Sequence, residues 1–224
     1  LMKNTRLFLL AIFCLMLAPV HASEKPDADY VAELFHATRH ARLPFPDILK
    51  INPGLGDEFL YTVQRKFVDN KISNGAVIGG YKGGLIPKAP VGGVLFAHGI
   101  LDGSPTLKRE NFYNLMVEAE IAFRPCGLIE SPLANVEALQ SAICEVYPAI
   151  ELPDAAVEDL ADMLANIDHF RRLLIPTNMA VSHVLLGGGI KPSDVDLNSL
   201  NVRVAFDGGQ IGYHESARST GNIW

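Results

Sequence analysis

Apolar residues recur at helical spacing through the first third of this 224-residue chain, then gather from about residue 76 into short runs of the length and alternation of strands. Over residues 28–42, Tyr30, Leu34 and Ala37 fall on one face with His36 and Arg39 beside it, which predicts a helix ended by Pro44 and Pro46. Leu60, Val63, Gln64, Phe67 and Val68 predict a second helix over 60–70, with Asn74-Gly75 as the turn after it. Short apolar strands are predicted over 76–81 and 91–96, with glycines at 79, 80, 83 and 84 placing Lys82 near a strand end. A further strand is predicted over 117–123, a core-spaced helix over 135–146 (Val136, Leu139, Ile143, Val146) and a brief strand over 148–153. Residues 154–167 read as an acidic amphipathic helix, 179–186 and 202–206 as strands, and Asp207-Gly208-Gly209 as a hairpin turn. Helices first and strands after, without internal repeat or linker, make the expected class α+β.

The segment Val117-Glu118-Ala119-Glu120-Ile121-Ala122-Phe123 breaks its own apolar pattern with two acids spaced i, i+2. In a strand both carboxylates leave the same face. Either that face is wet and the acids decorate it, or it is buried. In the second case the charges need a partner such as a hard divalent cation. Glu151, alone in the strand over 148–153, is open to the same two readings, and Lys82 taken by itself reads as a solvated lysine.

Composition narrows the function classes. With 49% hydrophobic and 20% charged residues the chain is an ordinary globular one, and a net charge of −6 with no Lys/Arg cluster in the sequence excludes a nucleic-acid partner. Lys3 and Arg6, an apolar stretch over 7–18 and Pro19-Val20-His21-Ala22 have the form of a signal peptide over 1–22, with cleavage after Ala22. The expected location is periplasmic or secreted, with no stable membrane span after cleavage. Cys14 lies inside the apolar stretch, so Cys126 and Cys144 remain for one disulfide in an oxidising compartment.

A set of motifs, in order, resembles one known family. Leu60-Tyr61-Thr62-Val63-Gln64, Gly79-Gly80-Tyr81-Lys82-Gly83-Gly84-Leu85, Gly93-Val94-Leu95-Phe96-Ala97, the E-x-E strand and Pro148-Ala149-Ile150-Glu151 resemble the 2-keto-4-pentenoate hydratase family of the fumarylacetoacetate hydrolase superfamily. The resemblance implies N-terminal helices (23–75) followed by a mixed β-roll or β-sandwich catalytic domain (76–224). It implies Glu118, Glu120 and Glu151 as ligands of Mg²⁺ or Mn²⁺ and Lys82 as the catalytic lysine beside a small 2-oxo acid. Such a hydratase ketonises a 2-hydroxy-2,4-dienoate and adds water to give a 4-hydroxy-2-oxo acid; a homo-oligomer is compatible with the sequence, which does not itself specify the oligomeric state. Decarboxylation of a 2-oxo diacid, hydrolysis of an acylpyruvate carbon–carbon bond, or binding without catalysis in an exported relative are the alternatives.

The chain also departs from that pattern. Ile86-Pro87-Lys88-Ala89-Pro90 replaces a longer covering loop, Ala155-Ala156 stands for a Ser-Arg pair, and Thr177-Asn178-Met179-Ala180 keeps Asn178 of an Asp-Asn-Ala-Ser stretch. Glu215 to Asn222 stands where a Leu-Gly-His-Pro-type motif is expected, and the family continues past the position of Trp224, so the catalytic domain is expected to be incomplete. Among other candidates, His98 and Asp102 read as loop residues, His169 and His183 as core or surface fillers, and Ser104 and Ser182 lack a nucleophile elbow.

Overall fold

The Asp27 side chain accepts from the amides of Asp29 and Tyr30 and so starts helix α1 (Ala28–His40), whose buried face is Val31, Ala32 and Phe35. In this computed structural model, residues 26–86, 89–196, 199 and 201–215 are described. The expected leader, Pro87-Lys88 and the stretch after Glu215 lie outside the described residues. Asp47 caps a single turn, α2 (Ile48–Ile51), and α3 (Asp57–Ser73) buries Phe59, Leu60, Val63, Phe67 and Val68 against α1. Both helices predicted from the apolar spacing are present, each within a few residues of its expected bounds.

Gly75, at φ +91°, turns the chain from α3 into an antiparallel hairpin, β1 (Ile78–Ile86) and β2 (Ala89–Phe96), in which Lys82 pairs with Gly93. A four-stranded mixed sheet follows. It comprises β3 (Ile100–Asp102), β4 (Glu118–Pro125), β5 (Ile143–Leu152) and β6 (His183–Leu186), in the order β3-β6-β5-β4. β3 runs parallel to β6, and the β6-β5 and β5-β4 pairs are antiparallel. A last hairpin, β7 (Asn201–Phe206) and β8 (Gly209–Glu215), turns at Asp207-Gly208 where φ is positive at both residues. The architecture is α+β with helices in front and mixed sheets behind, as the element order predicts.

Three expectations are corrected. The helix predicted over 135–146 is α4 (Val136–Ala142), and Ile143 already begins β5. Of the positions read as core, Ile143 and Val146 are buried and Leu139 packs partly buried against them with Ile121, but residues 143–146 are strand and not helix. β-branched residues and the Cys126–Cys144 disulfide to the end of β4 select the strand. The helix predicted over 154–167 is two short pieces, α5 (Leu160–Ala165) and α6 (Ile167–Leu174), because Ala155, Ala156 and Val157 enter the main core non-helically and Asp159 and Asn166 each cap a new start. The strand predicted over 179–186 begins only at His183. Before it, Asn178, Met179 and Ala180 form a tight turn with φ of 56°, 58° and 54°.

The main core joins the helices to this later chain. Phe35, Leu60, Val63 and Phe67 cluster with Val91, Ala155, Phe170, Leu173, Ile175 and Met179. Gln64 stitches the same layers, its Nε2 donating to Gly92 O (2.8 Å) and Ile175 O (2.9 Å). No described helix is long and apolar enough to cross a membrane.

Candidate metal centre

Antiparallel pairing of β4 with β5 sets Glu118 directly opposite Glu151 and Glu120 opposite Ala149. One oxygen from each of Glu118, Glu120 and Glu151 lies within 4.8 Å of the others. Like charges opposed across a ladder destabilise it, so this face is held for something other than the strands' own stability.

Lys82 reaches the cluster from the other sheet. Its Nζ lies 2.5 Å from Glu151 Oε2, with Lys82 13% and Glu151 2% exposed. The reading of Lys82 as a solvated lysine is therefore corrected: one ion pair carries it into the interior. The hairpin can approach because β2 has Gly93 where a Cβ would lie 3.0 Å from Met179 Cβ and 3.1 Å from Asn178 O.

One lysine does not neutralise three carboxylates. Burial pushes the Glu151 carboxyl above its ordinary range; Lys82 opposes that rise and Glu118 adds to it. Glu120 is also raised, by burial and then by the charge of Glu151. Solvent reaches Glu120 on one side, so the repulsion deserves more weight there than the burial. Glu151 Oε1 is buried without a hydrogen-bond partner among the described residues. An orphan buried carboxylate oxygen beside two more carboxylates is a donor set suited to a hard divalent cation, Mg²⁺ or Mn²⁺.

A cavity of about 300 Å³ opens beside the cluster. Glu118, Glu120 and Lys82 form its polar end, and Met116, Leu164, Phe170, Leu174 and Met179 line much of the rest. The α6 wall was missed by the sequence reading. Its signal was present in Ile167, Phe170 and Leu174, spaced i, i+3, i+7 after the cap Asn166.

The remaining candidates are elsewhere. His98 stacks on Phe96 (5.9 Å), His183 lies tilted to Phe112 (5.5 Å), and His169 pairs with Asp47 Oδ2 at 2.7 Å. Asn178 is buried and holds β2 from both sides. Its Oδ1 accepts from Val94 N (2.7 Å) and its Nδ2 donates to Val94 O (2.9 Å).

No family model matches the chain. By sequence it is 28% identical over 168 residues to 2-oxo-hept-4-ene-1,7-dioate hydratase of Escherichia coli, a match covering 70% of this chain and 62% of the hydratase. The matched region thus spans about three fifths of that relative's length. By structure it is similar to 4-oxalocrotonate decarboxylase from Pseudomonas putida G7 complexed with magnesium and adipate, with a TM-score of 0.76 and 19% identity over 85% of this chain and 73% of the decarboxylase. The same decarboxylase complexed with calcium and acetate gives a TM-score of 0.74 at 20% identity, with the same coverage.

Proposed function

We propose that the chain is a divergent member of the fumarylacetoacetate hydrolase superfamily that its motifs resemble, and a metal-dependent enzyme acting on a small 2-oxo acid, a reading supported by its likeness to the hydratase and to the fold of the decarboxylase. The observation that carries this reading is the convergence of Glu118, Glu120, Glu151 and Lys82, three of which (Glu118, Glu120 and Lys82) form the polar end of one apolar-walled cavity.

Glu118, Glu120 and Glu151 would hold the cation, which supplies Lewis-acid polarisation of a keto oxygen. Lys82 places a positive charge where the oxygen at carbon 2 gains negative charge, in a setting poor in water where such a charge counts most. Leaving Glu151 for that oxygen, the Lys82 ammonium can also hand over or take back a proton there. The walls from α5 and α6 fix the carbon chain and exclude water from all but the open end.

Hydration is the finer reading. A 2-hydroxy-2,4-dienoate loses its 2-hydroxyl proton and gains one at carbon 5; water then adds, hydroxyl at carbon 4 and proton at carbon 3, to give a 4-hydroxy-2-oxo acid. The hydratase relative supports it, while the fold neighbour keeps decarboxylation of a 2-oxo diacid as the second reading. Two assays separate the levels. Deuterium exchange into carbon 3 of 2-oxopentanoate, followed by NMR with Mn²⁺ or Mg²⁺ added, tests the 2-oxo acid chemistry and should vanish in Lys82→Met. Loss of diene absorbance from 2-hydroxy-2,4-pentadienoate tests hydration, and carbon dioxide release from a 2-oxo diacid tests the second reading.

Location belongs to the same proposal. Export to the periplasm or beyond is supported by the leader pattern over residues 1–22 and by the Cys126–Cys144 disulfide. Thiol alkylation of the protein from unreduced cell fractions should leave both cysteines unlabelled if the reading holds.

A further inference from the structure

A second cavity, about 240 Å³, lies against the back of the wall that closes the first. The chain threads between them residue by residue. Asp154 and Ala156 face the second cavity while Pro153 and Ala155 face the first, and Asn178 lines the second while Met179 and Ala180 line the first. The turn that divides them keeps three consecutive non-glycine residues at positive φ, a conformation costing about 1–3 kcal/mol per residue and held by the Asn178–Val94 hydrogen bonds.

The second cavity inverts the charge of the first. Arg39, Arg42 and Lys71 line it with His40, His98 and His183, against the single carboxylate of Asp154. That carboxylate is already engaged, its Oδ1 accepting from the amides of Tyr113 and Asn114 at 2.9 Å each. Arg39 donates to Val181 O (2.9 Å), and Arg42 reaches Glu110 O (3.3 Å) and Asn111 Oδ1 (3.5 Å), all of them uncharged oxygens. Among the described residues Lys71 has no ion pair; it sits over the Phe67 ring at 5.8 Å. Burial lowers the affinity of Arg39 and Lys71 for their protons; the Asp154 charge partly offsets this at Arg39, and the Arg39 charge depresses Lys71 further. In a protein of net charge −6, three cations gathered in one hollow against a single carboxylate leave positive potential unspent.

We propose that this cavity is a binding site for a small, multiply charged oxyanion, a phosphate or a dicarboxylate, separate from the metal centre. Arg39, Arg42 and Lys71 line it together, and guanidinium and ammonium groups together suit such an anion. The proposal stands on the cavity's own residues and is independent of the reaction at Glu118, Glu120 and Glu151.

The test is calorimetric titration of metal-free protein with inorganic phosphate and, separately, with succinate. Saturable binding is expected, and the tighter of the two probes identifies the source of the charge. Lys71→Gln and Arg42→Gln should each weaken it about tenfold or more, as loss of a charge-assisted hydrogen bond does. Lys66→Gln removes an equal charge from the same helix outside the cavity, where Lys66 pairs with Asp29 at 3.0 Å, and should leave affinity within about twofold. Circular dichroism establishes that the variants are folded. Absence of saturable binding of either probe, equal weakening by Lys66→Gln, or binding abolished by Lys82→Met but kept in Lys71→Gln would each overturn the proposal.

Discussion

The two cavities share one wall and carry opposite charge, and they were assembled in different ways. The acidic one draws its carboxylates from two neighbouring strands, where register alone places Glu118 against Glu151 and the period of two adds Glu120. The cationic one collects Arg39 and His40 from α1, Lys71 from α3, His98 from the turn after β2 and His183 from β6. Local periodicity can build a metal site. A hollow lined by scattered cations needs the whole fold.

Substitutions at or beside the shared wall separate the two cavities. Lys82→Met should have the largest effect, because it leaves Glu151 buried and uncompensated. We expect a loss of about 3 kcal/mol in metal-free protein by denaturant titration, and a fall of at least about a hundredfold in the deuterium-exchange rate. Phosphate binding at the cationic cavity should be unchanged in the same variant. Asn178→Ala ranks next. It removes two hydrogen bonds and strands the part-buried Val94 amide and carbonyl, for about 1–2 kcal/mol, and should weaken Mn²⁺ and phosphate binding together because the turn divides both cavities.

Asp57 ties the helix behind one cavity to the helix behind the other. Its carboxylate meets Arg171 Nη2 and Arg172 Nε, each at 3.1 Å, linking α3 to α6. Burial would raise the Asp57 pKa, but the two arginines outweigh it and hold it below its ordinary 3.8. A carboxylate with a depressed folded-state pKa stabilises fully above its unfolded value and loses that contribution as pH falls through the folded one. Acid titration should therefore show a stability decrement below about pH 4 that is absent in Asp57→Asn, and no more than about 1 kcal/mol because Asp57 is 42% exposed. The smallest effect sharpens the contrast. Glu118→Gln relieves a like-charge pair and should leave metal-free protein as stable or up to about 0.5 kcal/mol more so, while weakening Mn²⁺ binding.

Much of this was legible in the chain. The E-x-E alternation shows two carboxylates on one face, and the motif series around Lys82 and Glu151 resembles a family whose members bring these four residues together; the structure does bring them together. The helices α1 and α3 follow from spacing because their apolar faces point at one core. Residues 143–146 satisfied a helical face equally well, and tertiary pairing with β4 decided for strand. Nor does spacing reveal that Ala155-Ala156-Val157 is buried core before α5 begins, since three small apolar residues suit either state. The cationic cavity left no local signal, its members being separated by up to 144 positions from Arg39 to His183.

Glu118, Glu120 and Glu151 are proposed as one divalent-cation site beside the apolar cavity. The direct measurement is calorimetric titration of the protein with Mn²⁺, with and without oxalate as a mimic of an enolised 2-oxo acid, alongside Glu120→Gln. Saturable binding that oxalate tightens and the variant loses is the predicted result. A folded sample that takes up no Mn²⁺ saturably, or binds it equally well in Glu120→Gln, would contradict the account.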